Sequence, residues 1–448
     1  MVDTIYAAST AGLPSAIAII RLSGPQTRFA IETIAGSCPE PRYAAYRVLR
    51  NPDDQTPIDR GLVLWFPGPE SFTGEDSGEF QVHGSRAVVE ALLGILRALP
   101  GLRIAEAGEF TYRAFLNGKM DLTAVEGLAD LIAAETEAQR RQALRQGDGR
   151  LGNLYDSWRK DIVHARAMIE AELDFADEED VPGGASDQIW PKLKQLECAI
   201  RDHCAQSTRA QAIRSGLSVV LQGRPNAGKS SLLNALSKRE AAIVSDEAGT
   251  TRDVVTVNMN LGGYLFSVSD TAGIREAGSQ VEAEGVKRAV AAGRAADLIL
   301  WLKDGEEGEP DGLANGNDDL EETTVPVWML RSKSDLIDSE QKQPEADVDM
   351  HVSAKDGDGL NRLENRLIAF AQSQCGTGME DLSTRTRHFQ ELEAVVGALA
   401  TAIGNAEDPI EMRAEELRKA SDSLGRLTGR IDVEELLGVI FSEFCVGK

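Results

Sequence analysis

The fold of the central part of the chain is decided by residues 217–231, which read Leu-Ser-Val-Val-Leu-Gln-Gly-Arg-Pro-Asn-Ala-Gly-Lys-Ser-Ser. An apolar strand leads into a loop with the spacing Gly-x4-Gly-Lys-Ser, and a helical run follows. In this order, backbone N–H groups and the helix N-terminus surround a phosphate group. A glycine-rich turn with a chance lysine is the weaker interpretation. The residues predicted to bind the nucleotide here are Asn226, Ala227, Gly228, Lys229, Ser230 and Ser231.

Three later apolar runs resemble the strand before this loop. Helical stretches lie between some of them, and such alternation predicts a doubly wound parallel sheet. Within it, Lys229 is expected to reach the β- and γ-phosphates, and Ser230 to bind Mg²⁺ through its hydroxyl. The four predicted strands are Leu217–Gln222, Tyr264–Ser269, Asp297–Leu302 and Val325–Leu330.

Two further motifs follow in the order that a GTPase requires. The stretch 249–253, Gly-Thr-Thr-Arg-Asp, offers Thr251 as a second Mg²⁺ ligand. In the stretch 270–273, Asp-Thr-Ala-Gly, Asp270 can hold a metal-bound water and the Gly273 amide can contact the γ-phosphate. Each motif alone is weak, but three in order support one site. The other predicted nucleotide contacts in these motifs are Gly249, Thr250, Thr271 and Ala272.

The identity of the base is predicted from residues 332–335, Ser-Lys-Ser-Asp. The Asp335 carboxylate can accept from the N1 and N2 donors of guanine, which adenine lacks, and Lys333 can lie along the base plane. GTP is therefore favoured over ATP. GTPases usually have asparagine where this chain has Ser332, and we expect the change to weaken nucleotide affinity. The last base-contacting loop is predicted at Ser353, Ala354 and Lys355.

The residue that orients the attacking water in many small GTPases is not found at its usual position in this chain. Many small GTPases orient the attacking water with a glutamine directly after Asp-x-x-Gly. Here that position is Ile274, which cannot do so. Asn226 in the phosphate loop can ligate a monovalent cation that replaces an arginine finger, although asparagine also suits tight turns.

Composition and charge limit the class of protein. The chain has 448 residues, 42% of them hydrophobic, which predicts two or three domains without a membrane-spanning run. Five cysteines lack paired metal spacing, and the N-terminal stretch lacks the pattern of a secretory signal, so we expect a cytoplasmic protein. A net charge of −25 does not attract nucleic acid over the whole surface, so RNA contact would need a local basic patch or a partner.

Sequence patterns divide the chain into segments. Short strands at Ala16–Leu22 and Gly61–Phe66 and a helix at Val88–Leu99 predict an α+β domain, and a long amphipathic helix follows over 151–173. After about residue 376 the pattern is helical again, so the simplest account is a helical domain with the α/β domain inserted. The predicted domains are an α+β domain at 1–118, a helical domain in two parts at 119–214 and 376–448, and a G domain at 215–375.

Taken together, these motifs resemble the MnmE (TrmE) family of bacterial tRNA modification GTPases, among the TrmE-Era-EngA-like GTPases. The resemblance covers essentially the whole chain, and motifs outside the G domain separate this family from other GTPases. Its motifs are 223–231, 248–253 and 270–276 in the G domain, Phe-Thr-Gly-Glu-Asp at 72–76, Gly-Glu-Phe-Thr-x-Arg-Ala-Phe-Leu-Asn at 108–117, and Phe-Cys-Val-Gly-Lys at 444–448.

The resemblance implies a potassium-stimulated GTPase of the Ras-like type that is activated when two G domains dimerise. Glu282 matches the family's catalytic glutamate, which orients the water indirectly, although its residue type alone suggests a solvated helix position. The loop of Ser245, Asp246, Glu247 and Ala248 would join the nucleotide site. The implied K⁺ ligands are Asn226, Ser245, Glu247 and Thr250.

The family's N-terminal domain dimerises and binds a reduced folate, 5,10-methylene- or 5-formyl-tetrahydrofolate, as a one-carbon donor. Cys445 lies in the family's end motif and is a candidate catalytic residue; a small hydrophobic residue is the plainer interpretation, and the end fits a prenylation signal poorly. The residues that the resemblance places at the folate are Arg21, Glu79, Lys119 and Lys448.

The resemblance also implies partners and a product. Members form a homodimer and a heterotetramer with the FAD-dependent protein MnmG. The pair installs a 5-carboxymethylaminomethyl or aminomethyl group on wobble uridine U34 of certain tRNAs, which the GTPase contacts directly or through its partner. The alternatives are a regulatory or ribosome-assembly switch, and a scaffold with an inactive nucleotide site. The folate motifs disfavour the first, and the complete phosphate-binding set disfavours the second.

Overall fold

A computed structural model of the chain describes most of its residues, in two compact units. The first unit consists of Met1–Ala129, Arg145–Arg201 and Gln390–Lys448, and the second of Asp130–Leu144 and Asp202–Phe389. The described residues are 3–174, 189–223, 226–239, 242–243, 255–270, 296–303, 325–336, 348–375, 385–404, 407–431, 437–438, 440–441, 444 and 447.

The first unit contains a six-stranded sheet. Its strand order is β3-β4-β5-β2-β1-β6, in which β1 and β6 are parallel and the other neighbours antiparallel. The predicted strands and helix of this segment are present within a few residues of their expected bounds. The strands are β1 Thr4–Ala8, β2 Ser15–Ser23, β3 Ala45–Arg50, β4 Pro57–Phe66, β5 Ser77–Gly84 and β6 Leu102–Ile104.

One face of this sheet carries the core. Ile20, Val63 and Phe80 are each fully buried and pack with apolar residues of two helices. The second of those helices begins where the Ser85 hydroxyl accepts from the Val88 N–H at 3.2 Å, an N-cap that satisfies an otherwise unpaired donor. The helices that precede β7 in the chain are α1 Thr27–Ala35, α2 Arg86–Ala98, α3 Glu109–Leu116, α4 Leu122–Ala133, α5 Glu137–Gly147, α6 Arg150–Asp174 and α7 Ile189–Ser215.

Helices distant in sequence pack together in the first unit. The long amphipathic helix predicted over 151–173 is α6, and it packs against α11 from the end of the chain. This contact agrees with a helical domain split in sequence, while the predicted domain boundaries stay a prediction. None of the helices in the described part of the chain has the length and apolar character for crossing a membrane. The later helices are α8 Lys229–Arg239, α9 Leu360–Cys375, α10 Thr386–Gly404 and α11 Ile410–Thr428.

The second unit contains a seven-stranded sheet in the order β13-β12-β11-β7-β10-β9-β8. Its central strand, β7, is parallel to β10 and β11, and the parallel run continues through β12 to β13. The strands are β7 Leu217–Gly223, β8 Ala242–Ile243, β9 Val255–Leu261, β10 Tyr264–Asp270, β11 Leu298–Lys303, β12 Val327–Arg331 and β13 Met350–His351.

The four predicted strands run parallel to one another, and two strands outside that prediction add an antiparallel edge to the sheet. β9 pairs antiparallel with β10, and β8 pairs antiparallel with β9. Gly262 and Gly263 form the turn between β9 and β10 with φ of 59° and 89°, a conformation that glycine adopts without steric cost. A turn this short reverses the chain directly, so the two strands form a hairpin.

Candidate functional site

The phosphate loop lies between the carboxyl end of the central strand β7 and the start of α8. Asn226 and Gly228 have positive φ values of 66° and 87°, which bend the loop over the end of the strand. Lys229 is 6% exposed, and its Nζ donates to the Gly223 carbonyl at 2.8 Å. The lysine therefore lies against the loop at the N-terminus of α8, where a phosphate is favoured by the helix dipole and free N–H groups.

A pair of oxygen ligands lies beside this loop. The Ser230 hydroxyl donates to Asp270 Oδ2 at 2.5 Å, and Asp270 is 4% exposed at the end of β10. Asp270 is opposite Leu221 of β7 in the sheet register, so the parallel pairing itself brings the two motifs together. A hydroxyl and a carboxylate in contact are the hard oxygen donors that Mg²⁺ prefers, so the residues present fit this ion.

The base motif meets the phosphate loop at one cavity of about 450 Å³. Ser353 donates its hydroxyl hydrogen to Asp335 Oδ1 at 2.9 Å, and Lys355 Nζ is 3.7 Å from Asp335 Oδ2. Lys333 has a positive φ of 56°, and Ser332 donates from Oγ to the Lys303 carbonyl at 3.0 Å. The cavity is lined by Gly228, Ser231, Leu232, Ser332, Lys333, Asp335, Leu336, Val352, Ala354 and Lys355.

The structure therefore brings together the residues of the phosphate loop, the carboxylate after β10 and both base-contacting loops. Leu336 and Val352 also line the cavity and are not among the predicted contacts, because their apolar type is indistinguishable from a core residue in the sequence. Other predicted residues lie outside the described part of the chain. These are Ser245, Asp246, Glu247, Ala248, Gly249, Thr250, Thr251, Thr271, Ala272, Gly273, Ile274, Glu282, Cys445 and Lys448.

A second cavity, of about 220 Å³, lies in the first unit and contains two of the predicted folate residues. Arg21 of β2 is opposite Glu79 of β5 in the sheet register, and Arg21 Nε and a terminal nitrogen both lie 3.2 Å from Glu79 Oε1. The Arg21 guanidinium also lies 5.9 Å from the ring centroids of Phe72 and Phe110. The cavity is lined by Arg21, Arg42, Phe66, Glu70, Ser71, Phe72, Thr73, Ser77, Gly78 and Glu79.

Lys119, the third predicted folate residue, lies outside the lining of this cavity. Its Nζ donates to the Pro69 carbonyl at 2.9 Å, one residue before the lining residue Glu70. Gly447, the neighbour of Lys448, accepts a hydrogen bond from the Ser9 hydroxyl at 2.9 Å. Gly447 thus lies beside the end of β1, the strand next to β2.

Arg113 stands in the motif at 108–117, and its residue type alone indicates no task there. Arg113 is fully buried and donates to Asp3 Oδ1 at 2.9 Å, Glu75 Oε2 at 3.0 Å and Glu109 Oε1 at 3.0 Å. Burial alone would raise the pKa of Glu109, but hydrogen bonds from Arg103 and Arg113 keep it below its usual range. One motif contains Glu75 and the other contains Glu109 and Arg113, and this combination of opposite charges is the feature of the sequence that indicates a buried ionic cluster.

Comparison with known proteins places this arrangement in a family. The descriptions "GTP-binding protein TrmE N-terminus" and "MnmE helical domain" match residues 4–119 and 122–445. The tRNA modification GTPase MnmE of Brucella anthropi is 52% identical over 447 residues, covering 100% of this chain and 98% of that protein. The chain belongs to the MnmE family. The MnmE of Brucella melitensis is 51% identical over 446 residues, with the same coverage of 100% and 98%.

Membership of the MnmE family makes the chain a GTPase of tRNA modification and confirms the resemblance seen in its motifs. Among solved structures, a variant of Era from Aquifex aeolicus bound to GDP and AlF4⁻ is 25% identical, covers 41% of this chain and 66% of that chain, and has a TM-score of 0.28. The assignment to the MnmE family depends on the full-length relatives and not on this likeness.

Proposed function

We propose that the chain is a potassium-stimulated, Mg²⁺-dependent GTPase that works with the FAD-dependent protein MnmG. Together they form the 5-carboxymethylaminomethyl or aminomethyl group on wobble uridine U34 of certain tRNAs, with a reduced folate as one-carbon donor. One observation carries the nucleotide part of the proposal. The phosphate loop and the Asp335 loop line the same cavity of about 450 Å³, in a chain of the MnmE family.

In the nucleotide site, backbone N–H groups of the loop after β7 and the Lys229 amine bind the phosphates. Ser230 would hold Mg²⁺ through its hydroxyl, and Asp270, which lies in contact with that hydroxyl, would support it through a water. Asp335 accepts from the N1 and N2 donors of guanine, and Ser353 orients its carboxylate. Mg²⁺, when bound, offsets the negative charge that develops on the transferred phosphate.

Hydrolysis needs groups beyond this set. The proposed K⁺ ligands are Asn226, whose positive φ bends the loop, together with Ser245, Glu247 and Thr250. These residues would hold a K⁺ that supplies positive charge near the γ-phosphate, and Glu282 would orient the attacking water. Pairing of two G domains in a homodimer brings these groups into place.

In the folate site, the Arg21–Glu79 pair supports binding of a pterin. A carboxylate can accept from pterin N–H groups, and the faces of Phe66 and Phe72 in the cavity lining suit a flat ring. The residues present therefore fit a folate. Lys119 and Lys448 would meet the carboxylates of its glutamate tail, and Cys445 would act in the modification chemistry.

The proposed partners are those that membership of the family implies, and the net charge is compatible with them. A charge of −25 disfavours broad contact with tRNA, and MnmG in a heterotetramer offers additional surface for it. Membership of the family supports a cytoplasmic homodimer as the core of this assembly.

The decisive experiment measures the wobble uridine by mass analysis of tRNA from cells that lack the protein. We expect the modified nucleoside to disappear, to return with the wild-type chain, and to stay absent with Lys229→Ala. Normal modification in the deleted strain would instead support a regulatory or ribosome-assembly switch.

A matched experiment tests the hydrolysis mechanism on the purified homodimer. GTP hydrolysis should be strongly faster in K⁺ than in Na⁺ buffer, while nucleotide affinity changes little. Glu282→Ala should slow hydrolysis with nearly intact binding, and the neighbouring Glu284→Ala serves as its control. Equal rates in K⁺ and Na⁺ would remove the cation from the mechanism.

A further inference from the structure

Ser332 stands where the guanine motif usually begins with asparagine, and its side chain is already engaged. It is 5% exposed, and its Oγ donates to the Lys303 carbonyl at 3.0 Å. Lys303 is the last residue of β11, so the hydroxyl hydrogen points to the sheet and away from the cavity. A hydroxyl has one hydrogen to donate, whereas an asparagine amide has two.

The position of Ser332 determines which edge of the base it faces. Guanine carries the acceptors N7 and O6 on one edge, and Asp335 at the other side of the motif accepts from the N1 and N2 edge. A Cβ added to Gly228 of the phosphate loop would lie 3.7 Å from Ser332 Cβ. Ser332 therefore lies on the phosphate side of the cavity, which is the side of the imidazole ring and N7.

We propose that guanine N7 receives no hydrogen bond from residue 332 in this chain, so that base recognition rests on the Asp335 edge. This inference rests on the proposed guanine site. It assigns base discrimination to Asp335 and none to Ser332: the chain discriminates between nucleotides at N1 and N2, tolerates changes at N7, and holds guanine nucleotides less tightly than an asparagine variant would.

The test compares GDP with 7-deaza-GDP, in which a C–H group replaces N7, on the full-length protein with Mg²⁺. Kd values come from competition against a fluorescent GDP. We expect the wild-type protein to bind both within about twofold. Ser332→Asn places an N–H donor at N7 in a cavity with room for it, and should prefer GDP about threefold to tenfold, the effect of one hydrogen bond.

Ser332→Ala is the matched control. Removing the hydroxyl leaves the Lys303 carbonyl paired with the Ser332 backbone N–H, which donates to it at 2.9 Å. The alanine variant should therefore keep the wild-type ratio between the two nucleotides near one. This comparison needs only the wild-type and alanine proteins, so it decides the proposal even if the asparagine variant fails to fold.

Two results would overturn the inference. A wild-type preference for GDP of fivefold or more that Ser332→Ala abolishes would show that the serine turns and donates to N7. A folded Ser332→Asn protein without any preference would show that the position does not face N7. Failure of the guanine site itself looks different, because ADP would then compete as well as GDP in the wild-type protein.

Discussion

The nucleotide cavity and the Arg21 cavity are built in opposite ways. In the nucleotide site, the proposed phosphate contacts are the consecutive residues Gly228, Lys229 and Ser230, which lie at the N-terminus of α8. In the Arg21 cavity, the polar groups are side chains from strands far apart in sequence, and Arg21 and Glu79 face each other across β2 and β5. The first cavity is specified by a local motif and the second by sheet register.

This difference affects how each cavity responds to substitution. A loop of backbone N–H groups keeps its shape when one side chain changes, so a change there should remove chemistry and leave the fold intact. A cross-strand ion pair contributes to the sheet as well as to the ligand site. The four experiments below test this contrast.

The largest effect is expected from Lys229→Ala. The amine makes charge-assisted hydrogen bonds to phosphate oxygens, each of about 1.5–3 kcal/mol, so GTP binding or hydrolysis should fall about 100- to 10 000-fold. Steady-state hydrolysis and a nucleotide titration measure this. Lys238→Ala, at an exposed position of the same helix, is the control, and an equal loss in both variants would point to damage of α8.

The next effect concerns acid stability of the nucleotide unit. Burial and, second, the neighbouring His388 lower the pKa of His203 from 6.5 to about 4. In the unfolded chain His203 is protonated below pH 6.5, whereas in the folded unit it stays neutral until about pH 4. The free energy of unfolding therefore falls as the pH drops from 6.5 to 4. This difference in the pKa of His203 corresponds to a loss of about 3 kcal/mol in the free energy of unfolding by pH 4.

Urea unfolding between pH 7 and pH 4, followed by hydrogen exchange in peptides of each unit, measures this loss. His203→Gln should flatten the slope of the second unit, while His164→Gln at an exposed position of α6 should not. In the first unit, the lowered pKa of Glu109 means that its contribution is lost only below pH 4.5. Parallel slopes for wild type and His203→Gln would contradict the prediction.

A smaller effect is expected from Asp335→Asn. The variant loses a charge-assisted acceptor for N1 and N2 of guanine, so its affinity for GTP should fall about 10- to 100-fold. Its amide can donate to the carbonyl that xanthine carries in place of the guanine amino group. Xanthosine triphosphate should therefore bind the variant better than GTP does, and weaker binding of both nucleotides would argue against direct contact with the base.

The smallest effect is expected from Glu79→Gln in the other cavity. The amide keeps the shape but removes the charge, which should weaken binding of 5-formyl-tetrahydrofolate about tenfold. GTP hydrolysis should stay unchanged, and Glu90→Gln on an exposed part of α2 is the matched control. Isothermal titration gives the affinity, and unchanged folate binding would move the folate site away from this cavity.

The sequence predicted the secondary structure correctly where a local motif or periodicity is enough to specify it. The stretch 217–231 predicted a strand, a loop and a helix, and these are β7, the phosphate loop and α8. The apolar periodicity of residues 151–173 also predicted α6 over nearly its full length. The antiparallel edge of the second sheet was not among the predicted strands, although β9 alternates apolar and polar residues as Val-Thr-Val-Asn-Met-Asn-Leu. The turn at Gly262 and Gly263 decides its direction.

Contacts between distant residues were beyond sequence reasoning. Nothing local in the chain indicates that Arg21 faces Glu79, since that depends on the register of β2 with β5. The burial of Arg113 among three carboxylates depends in the same way on packing around α3. The family resemblance supplied two of these residues, but their arrangement required the fold.

The central place of β7 has a consequence for measurements on the intact protein. Asp270 at the end of β10 and Gly223 at the end of β7 take their places beside the phosphate loop only when β7 is paired with β10 and β11 at once. The proposed nucleotide site therefore exists in the folded second unit and not in its unfolded chain. Ligand at 100 times its Kd stabilises such a unit by about 2.7 kcal/mol. In a calorimetric scan, saturating GDP should shift the melting transition of the second unit upward and leave that of the first where it was, which assigns each transition without cutting the chain.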